Sequence, residues 1–334
     1  MPLEKKEWTI RTFQREDGQE VLELLRKSFQ KKLTPEWFQW RYETPCFGEA
    51  LLHVAKSHLG EIIGFHASFQ WPLFFQNEVI SGFHGADLAV RSDYQNQGVM
   101  SSLVEKDDEE ASKRGAWLKF GFANSHSLKG FLKLKHKIVD HLQIWLRVFR
   151  PIQFLHNELV AVQKGKKSEP MFVDMNNKYF IPAREYIDHL IKIHGKGNSS
   201  GIRSIRSEGF YRWRLNHPHR PCYLVSLDGK TPLMMVHLQK AKLGGRALLM
   251  EQYVSTYSSE WKNAIKMIGR YGKIDSIYTI ANHPPGNRSL NLVRWGSRLL
   301  IARTILVIKV LRKEAEPFLS KALWDLTPLD LDFY

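Results

Sequence analysis

The residues with the most chemical promise lie in one run, Asp87-Leu88-Ala89-Val90-Arg91-Ser92-Asp93-Tyr94-Gln95-Asn96-Gln97-Gly98-Val99-Met100-Ser101-Ser102-Leu103. An apolar strand ends at Val90, the chain turns, and a helix opens at Gly98. The first turn of a helix presents backbone N–H groups without intrahelical partners, at the positive end of its dipole. A diphosphate can sit there when no side chain bars the approach. Gly98 gives that clearance, and Ser101 and Ser102 are further donors. The bland account of the same residues is a strand-turn-helix in which Gly98 only suits the turn. Three groups nearby could move a proton. Asp87 is a candidate base, or else a structural carboxylate paired with Arg91 or a turn amide. His84 points to the opposite face from Asp87 in a regular strand, unless a bulge intervenes. His126 stands past a second strand, where a helix begins.

These groups need a scaffold that brings two strand ends and a helix start together. Val21, Leu22, Leu25 and Phe29 make one helical face, with Asp17 and Glu20 as a capping box before it. Strands are expected near 50–56, 61–69, 72–76 and 79–90, with a hairpin turn at Gln76-Asn77-Glu78. A helix is expected from Gly98 to about Arg114, with Gly115 as its C′ residue. The strand Trp117–Ala123 and a basic helix from Ser125 to Lys135 follow. Strands on both sides of a helix imply a largely antiparallel sheet with one parallel crossover.

The pattern recurs. Thr34-Pro35-Glu36-Trp37-Phe38-Gln39-Trp40-Arg41 is echoed by Ser207-Glu208-Gly209-Phe210-Tyr211-Arg212-Trp213-Arg214, each followed by a proline, a strand, a turn and a strand bearing a histidine, His66 or His237. Thr34 and Ser207 are both helix caps. The shared order reads as duplication. Gln163–Pro170 has linker composition and His194–Gly201 that of a flexible loop, so the expected domains are 1–158 and 159–334. In the second, the strand Leu248–Val254 leads to a helix with no glycine at its start, which leaves nothing to cradle a diphosphate. Glu251 and His237 could face a cleft, with a satisfied buried pair as the favoured expectation. Asp330 and Asp332 near the chain end could meet an amino or hydroxyl group.

The Asp87–Leu103 run resembles the acetyl-CoA signature of the GNAT superfamily of N-acetyltransferases. Gln95, Gly98 and the strand ending Leu88-Ala89-Val90 carry the likeness. Gly121-Phe122-Ala123-Asn124 resembles the second strand end with its asparagine, and Lys133-Leu134-Lys135-His136 the ending that follows. The nearest likeness is to tandem proteins of bacterial polysaccharide and amino-sugar gene clusters. The resemblance implies an α/β (α+β) fold of two GNAT-like domains, each a mixed, mostly antiparallel sheet flanked by helices, the second degenerate. It implies acetyl-CoA or another acyl-CoA as co-substrate, held by Leu88, Ala89, Val90, Gln95, Asn96, Gln97, Gly98, Val99, Met100, Ser101, Ser102, Asn124 and Phe131. A primary amine, an amino sugar favoured, would attack directly, with Asp87, His84 and His126 as acid–base candidates. Met100 stands where the family has a small residue, and Phe131 where it has a thiolate-protonating tyrosine. Those departures motivate a rival reading, a non-catalytic acyl-CoA- or ligand-binding protein that keeps the fold.

Composition sets the outer limits. The chain has 334 residues, 43% of them hydrophobic, which is enough apolar material for two cores and excludes global disorder. A net charge of +15 favours anionic ligands. Two cysteines supply no disulfide framework and no four-ligand zinc site, and the histidine pairs lack metal-ligand support, so no metal is expected. Arginines between aromatics at 210–214 could stack on nucleic acid, but their echo at 38–41 favours a packed helix face. No leader is read at the start, and Arg303 and Lys309 interrupt the apolar run 299–311. A cytoplasmic protein is the expectation.

Overall fold

The computed structural model describes residues 7–164, 169–173, 177–194, 201–253, 258–271, 274–281, 293–294 and 304–331. Residues 165–168 of the expected linker, 195–200 of the expected loop, the segment 254–257 and Asp332 lie outside the described residues.

Strand β1 (Trp8–Thr12) precedes helix α1 (Gly18–Phe29), whose Val21, Leu22 and Leu25 are buried as the periodicity requires. The expected Asp17/Glu20 capping box does not form. The Asp17 carboxylate takes two Arg11 nitrogens at 2.7 Å and the Gln14 N–H, while Glu20 accepts the Ile62 N–H at 3.1 Å. Helix α2 (Pro35–Phe38) is capped by Thr34 Oγ1, which accepts the Trp37 N–H at 3.2 Å. Then come β2 (Leu51–Ser57), β3 (Ile62–Gln70), β4 (Leu73–Phe75) and β5 (Glu78–Ile80). Gln76 and Asn77 turn between the last two with φ of 48° and 67°. Strand β6 (Gly82–Val90) leads to α3 (Val99–Lys113), which Gly115 ends at φ 81°. Next are β7 (Leu118–Ala123), α4 (Leu128–Lys133), β8 (Lys137–His141), β9 (Gln143–Val148) and α5 (Pro151–Lys164). After β10 (Glu169–Pro170), β11 (Phe180–Pro182), α6 (Ile187–His194) and β12 (Arg203–Ser204) comes α7 (Glu208–Leu215). Its cap, Ser207 Oγ, accepts the Phe210 N–H at 3.1 Å, which matches the Thr34 cap. The rest is β13 (Cys222–Val225), β14 (Met234–Ala241), β15 (Gly244–Gln252), α8 (Ser259–Arg270), β16 (Ile274–Ala281), β17 (Val293–Arg294) and β18 (Ile305–Val310).

Two large mixed sheets result. The first runs β1-β2-β3-β6-β7-β18-β8 and the second β11-β13-β14-β15-β16-β9-β17. Each carries a parallel pair joined through a helix, β6 with β7 through α3 and β15 with β16 through α8. The compact units are Met1–Asp140, Ser200–Ile205 and Thr304–Trp324 for the first, and His141–Ser199, Arg206–Arg303 and Asp325–Tyr334 for the second. A single cut after residue 158 therefore does not describe the chain. Strand β18, from near the end of the sequence, pairs with β7 from Ile305↔Ala123 to Val310↔Leu118, and β9, from the earlier half, pairs with β16 from Ser276↔Val148 to Ala281↔Gln143. Each of these strands satisfies its backbone groups in the sheet of the other half.

The first core lies on both faces of its sheet. Val99 and Leu103 of α3 pack with Ala55 and Ile63 on one face. Tyr42 packs on Phe38, Phe65 and Phe69 on the other. In the second unit Trp261, Ala264, Ile265 and Ile268 of α8 pack on Val236, Leu238, Ala247, Ile274 and Ile277.

Candidate functional site

The parallel ladder of β6 with β7 is short. It runs from Gly82↔Leu118 to Gly85↔Gly121 and stops. Beyond it β6 continues to Val90 on β3 alone, and β7 continues to Ala123 on β18. The two strand ends therefore diverge as a wedge whose base is a pair of glycines. A Cβ on Gly121 would lie 3.1 Å from the Gly85 carbonyl oxygen, a tight contact with backbone, so the close approach at the base favours glycine there. Leu88, Ala89 and Val90 lie along one side of the wedge, and Asn124 follows the end of the other.

A bulge shapes the β6 side. Phe65 pairs with Ala89 and Ala67 with Ala86, so Asp87 and Leu88 together oppose His66. Asp87 adopts φ 42°, the left-handed region that a non-glycine residue seldom enters. Its carboxylate anchors that conformation: Oδ2 accepts from Arg41 Nε and, at 2.9 Å, from the Tyr42 hydroxyl. Burial, then Asp87, pushes the Tyr42 phenol well above its ordinary range. Arg41 lies 5.0 Å from the Phe69 ring centre, and Tyr42 packs on Phe65 and Phe69. His84 packs on Trp71, which continues the same alternation. The bulge thus places Asp87 and His84 on one face, where a regular strand would separate them. Asp87 is paired with Arg41 and Tyr42, not with Arg91, which binds Glu61 and Asp93. His84 is buried, stacked on Phe120 at 4.9 Å.

At the helix start Gly98 is the N-cap with φ 90°, and no side chain caps the helix. Among the described residues only Trp8 lies near its would-be Cβ, at 3.8 Å, and the first turn carries no acidic residue. The N–H groups of Val99, Met100 and Ser101 precede the first intrahelical bond, Ser102 N–H to the Gly98 carbonyl at 3.1 Å. These features fit a diphosphate. Gln95 and Gln97 hold the turn itself: Gln95 Nε2 donates to the Val90 carbonyl at 3.1 Å and Gln97 Nε2 to the Asp93 carbonyl at 2.9 Å, with Asn96 between them at φ 60°.

The β7 end is fixed by Asn124. Its Oδ1 accepts the N–H groups of His126 and Ser127 at 2.9 and 3.0 Å, which opens α4. His126 is exposed. Phe131 packs toward Ala123, Ile305 and Val307 and against the His136 ring at 5.0 Å. Met100 is accommodated by a residue that sequence reasoning passed over. A Cβ on Gly130 would fall 2.6 Å from the Met100 methyl, so the absent side chain of Gly130 makes room for it.

Sequence reasoning also missed Arg41, Tyr42 and a buried polar cluster on the α3 face. Asp107 and Lys119 form a buried ion pair. Ser68 donates to both Asp107 oxygens at 2.9 and 2.8 Å, and Lys119 reaches Asp108 at 2.7 Å. His53 Nδ1 and His66 Nε2 lie 3.4 and 3.6 Å from Asp107. Burial alone would raise Asp107, but Lys119 and His66 hold it well below the usual carboxylate range. Burial likewise opposes the charge on Lys119, and Asp107 and Asp108 outweigh it, raising the ammonium. Burial pushes His66 and His136 down to about 4. The signal was present in the sequence: Asp107 shares the apolar stripe of α3 with Leu103, Val104 and Ala111, and Lys119 interrupts an apolar strand.

The second unit repeats the Asp87 arrangement in other residues. Glu251 Oε1 meets Arg206 Nε at 3.1 Å, and its Oε2 accepts the hydroxyls of Tyr211 and Tyr253 at 3.1 and 3.0 Å. Asp330 accepts Arg206 at 2.8 and 2.9 Å and is fully buried, so it is a structural anion and not an exposed acceptor ligand. Glu251 and His237 are not a pair. His237 Nδ1 lies 2.9 Å from the Pro221 carbonyl oxygen, and burial pushes the ring down to about 4. Among the described residues no helix is long and apolar enough to cross a membrane, and no three His, Cys, Asp or Glu side chains could hold a metal ion.

Residues 9–130 match the family described as acetyltransferase (GNAT) domain. No curated protein matches the chain at a significant level. Among solved structures, the chain is similar to a probable N-acyltransferase of Enterococcus faecalis, at TM-score 0.63 and 9% identity over 92% of this chain and 73% of that one. It is similar to a GCN5-related N-acetyltransferase from Kribbella flavida at TM-score 0.59 and 12% identity, over 92% and 71%. The Saccharomyces cerevisiae N-myristoyltransferase with bound myristoyl-CoA resembles it at TM-score 0.53 and 10% identity, over 84% and 74%. The fold is thus that of the GNAT N-acetyltransferases, and residues 9–130 carry the match to their domain.

Proposed function

We propose that the protein is an acyl-CoA-dependent N-acyltransferase, a tandem arrangement of two GNAT-like units of which the first is active. The observation that supports this most is the conjunction of the β6–β7 wedge with an uncapped, acid-free helix start at Gly98. The diphosphate would rest on the N–H groups of Val99, Met100 and Ser101, with the Ser101 and Ser102 hydroxyls beside them. The arm of the co-substrate would lie in the wedge along Leu88, Ala89 and Val90, toward Asn124 and Phe131. Acetyl-CoA is the proposed donor, and it supplies an activated acyl carbon with a thiolate leaving group.

The chain's own residues supply geometry and charge. Arg41 and Tyr42 fix Asp87 through Oδ2, and this holds the bulge from which the strand runs on along the wedge, where a backbone N–H would serve as oxyanion donor. The other Asp87 oxygen faces an incoming ammonium and helps it lose its proton. Transfer forms a C–N bond and breaks the C–S bond; the amine loses one proton as the ammonium, to Asp87 or through water to the exposed His126, and a second from the tetrahedral adduct, which passes through water to the departing thiolate. His84, buried among Trp71, Phe120 and Phe122, supports the wall rather than the chemistry. The acceptor is proposed as a small primary amine, with an amino sugar as the favoured class. A cytoplasmic site of action is part of the proposal.

Thermal shift with acetyl-CoA, beside a Gly98→Glu variant, tests the cofactor half of the proposal. A ligand at about 100 times its Kd stabilises by roughly 2.7 kcal/mol. Product detection across amino sugars, polyamines and peptides tests the transfer half. Phe131, which has no proton to give, favours a second reading, an acyl-CoA-binding protein without turnover. That protein would show the shift and form no product with any of these acceptors.

A further inference from the structure

The base of the wedge is closed on both faces of the sheet. Gly85, in the last β6–β7 pair, has no side chain, and the space beside it is taken by another strand's residue. A Cβ on Gly85 would lie 3.8 Å from His66 Cε1 and 4.0 Å from His66 Nε2. His66 is 1% exposed and sits opposite the Asp87–Leu88 bulge. Behind it stands the ion pair of Asp107 with Lys119, bound also by Ser68. A long acyl chain would need apolar walls here and would instead meet buried polar groups that lose their partners if parted. On the opposite face His84 stacks on Phe120 beside Phe122.

We infer that His66 is the residue that limits donor acyl length, restricting this protein to short-chain acyl groups. The inference rests on the proposed binding of an acyl-CoA in the wedge. Burial pushes the imidazole down to about 4, so the ring is neutral at pH 7 and its stop is steric and polar rather than charged. The packing behind it keeps the ring from turning away: Asp107 is held by Ser68 and Lys119, and His53 lies on its other side.

The test is equilibrium binding, by calorimetry, of CoA, acetyl-, butyryl-, octanoyl- and myristoyl-CoA to the full-length protein. CoA and acetyl-CoA should bind within a few fold of one another, and octanoyl-CoA at least tenfold more weakly than acetyl-CoA. His66→Ala should recover octanoyl-CoA binding by tenfold or more and leave CoA itself unchanged. Gly85→Ala works in the other direction and keeps the core intact, since its new methyl meets neighbours only at ordinary contact distance. It should weaken butyryl-CoA several fold relative to CoA, which decides the matter even if His66→Ala does not fold. Octanoyl- or myristoyl-CoA binding as tight as acetyl-CoA would overturn the inference and leave the acyl-CoA reading standing. So would a length series that neither variant alters. No binding of CoA itself would overturn the reading and the inference with it.

Discussion

The two parallel strand pairs share a frame and differ in what fills it. In the first unit the β6–β7 ladder ends at two glycines, and the helix that follows starts at Gly98 with no side-chain cap and no acid in its first turn. In the second, the β15–β16 ladder ends at Leu248↔Tyr278, and Thr279 Oγ1 then donates to the Leu249 carbonyl at 3.0 Å across the divergence. The helix that follows, α8, is already capped by Ser258, which accepts the Trp261 N–H at 3.1 Å, and carries Glu260 in its first turn. Each feature that suits the proposed anion and extended arm in the first unit is answered by a side chain in the second. On the proposed function, binding capacity is a matter of side chains left out, because the backbone supplies the donors in either case. The carboxylate at the strand end persists in both, Asp87 with Arg41 and Tyr42, Glu251 with Arg206 and Tyr211. The anchoring network is therefore part of the frame, and the wedge opening is the part that differs.

The largest effects should come from breaking the frame, equally in both units. Lys119→Met removes the cation that faces the buried Asp107, and Arg206→Met the cation that Glu251 and Asp330 share. Each should cost about 3–5 kcal/mol in urea unfolding, since a buried carboxylate loses its counter-charge. Adding Asp107→Asn to Lys119→Met should return much of the loss. Recovery of nothing would mean that Lys119 acts by packing alone.

Protonation separates the units less sharply. His66 and His237 are both held at about 4 by burial, below the 6.5 of a free imidazole. Between pH 6.5 and 4 the unfolded chain binds protons that the folded chain does not. Stability is full above pH 6.5 and declines as the pH falls toward 4, on the order of 3 kcal/mol for each ring. Unfolding free energy measured from pH 7 downward checks this, and His66→Asn should remove one ring's share of the slope while His136 in the first unit and His237 in the second keep theirs. A flat profile over that window would refute the burial argument.

Gly98→Glu brings a carboxylate to the helix start at a φ suited to glycine. Acetyl-CoA affinity should fall at least a hundredfold, about 2.7 kcal/mol. Ser258→Gly, which uncaps α8, should leave acetyl-CoA affinity unchanged, because Thr279 still bridges to Leu249 and Glu260 remains. A second binding site created by Ser258→Gly would show that the cap alone distinguishes the wedges.

Much of the frame was legible before any coordinates. The two caps, Thr34 and Ser207, declared themselves by residue type and by their aromatic-arginine sequel, and Gly98 and Gly115 marked both ends of α3. Strand exchange was not legible. Nothing in Ile305–Val310 says which of two similar sheets it completes, since local pattern sets strand identity but not its partner. The bulge at Asp87 was equally hidden. A one-residue slip in pairing decides which face each side chain takes, and that slip follows from packing between Arg41, Tyr42 and Phe69, residues remote in sequence. Asp107 was readable and unread, a carboxylate on an apolar stripe.

The smallest effect concerns the departure of Met100 from the small residue that the signature resemblance implies. Gly130 compensates for it in α4, where an added Cβ would fall 2.6 Å from the Met100 methyl and 2.7 Å from its sulfur. Those atoms are the far end of a flexible chain, so Gly130→Ala should be nearly neutral, the steric cost offsetting the roughly 1 kcal/mol that alanine gains over glycine in a helix. In a Met100→Ala background the clash is gone, and Gly130→Ala should then stabilise by about 0.5–1 kcal/mol. A double-mutant cycle on these two positions should therefore show a coupling of that size, which sites without contact would not. The displaced methionine would also lean on the helix start proposed to hold the diphosphate. Gly130→Ala should weaken acetyl-CoA binding a few fold when Met100 is present and not when it is alanine. If the weakening persists without Met100, α4 itself touches the ligand, and the wedge extends further along Leu128–Lys133 than the strand ends alone define.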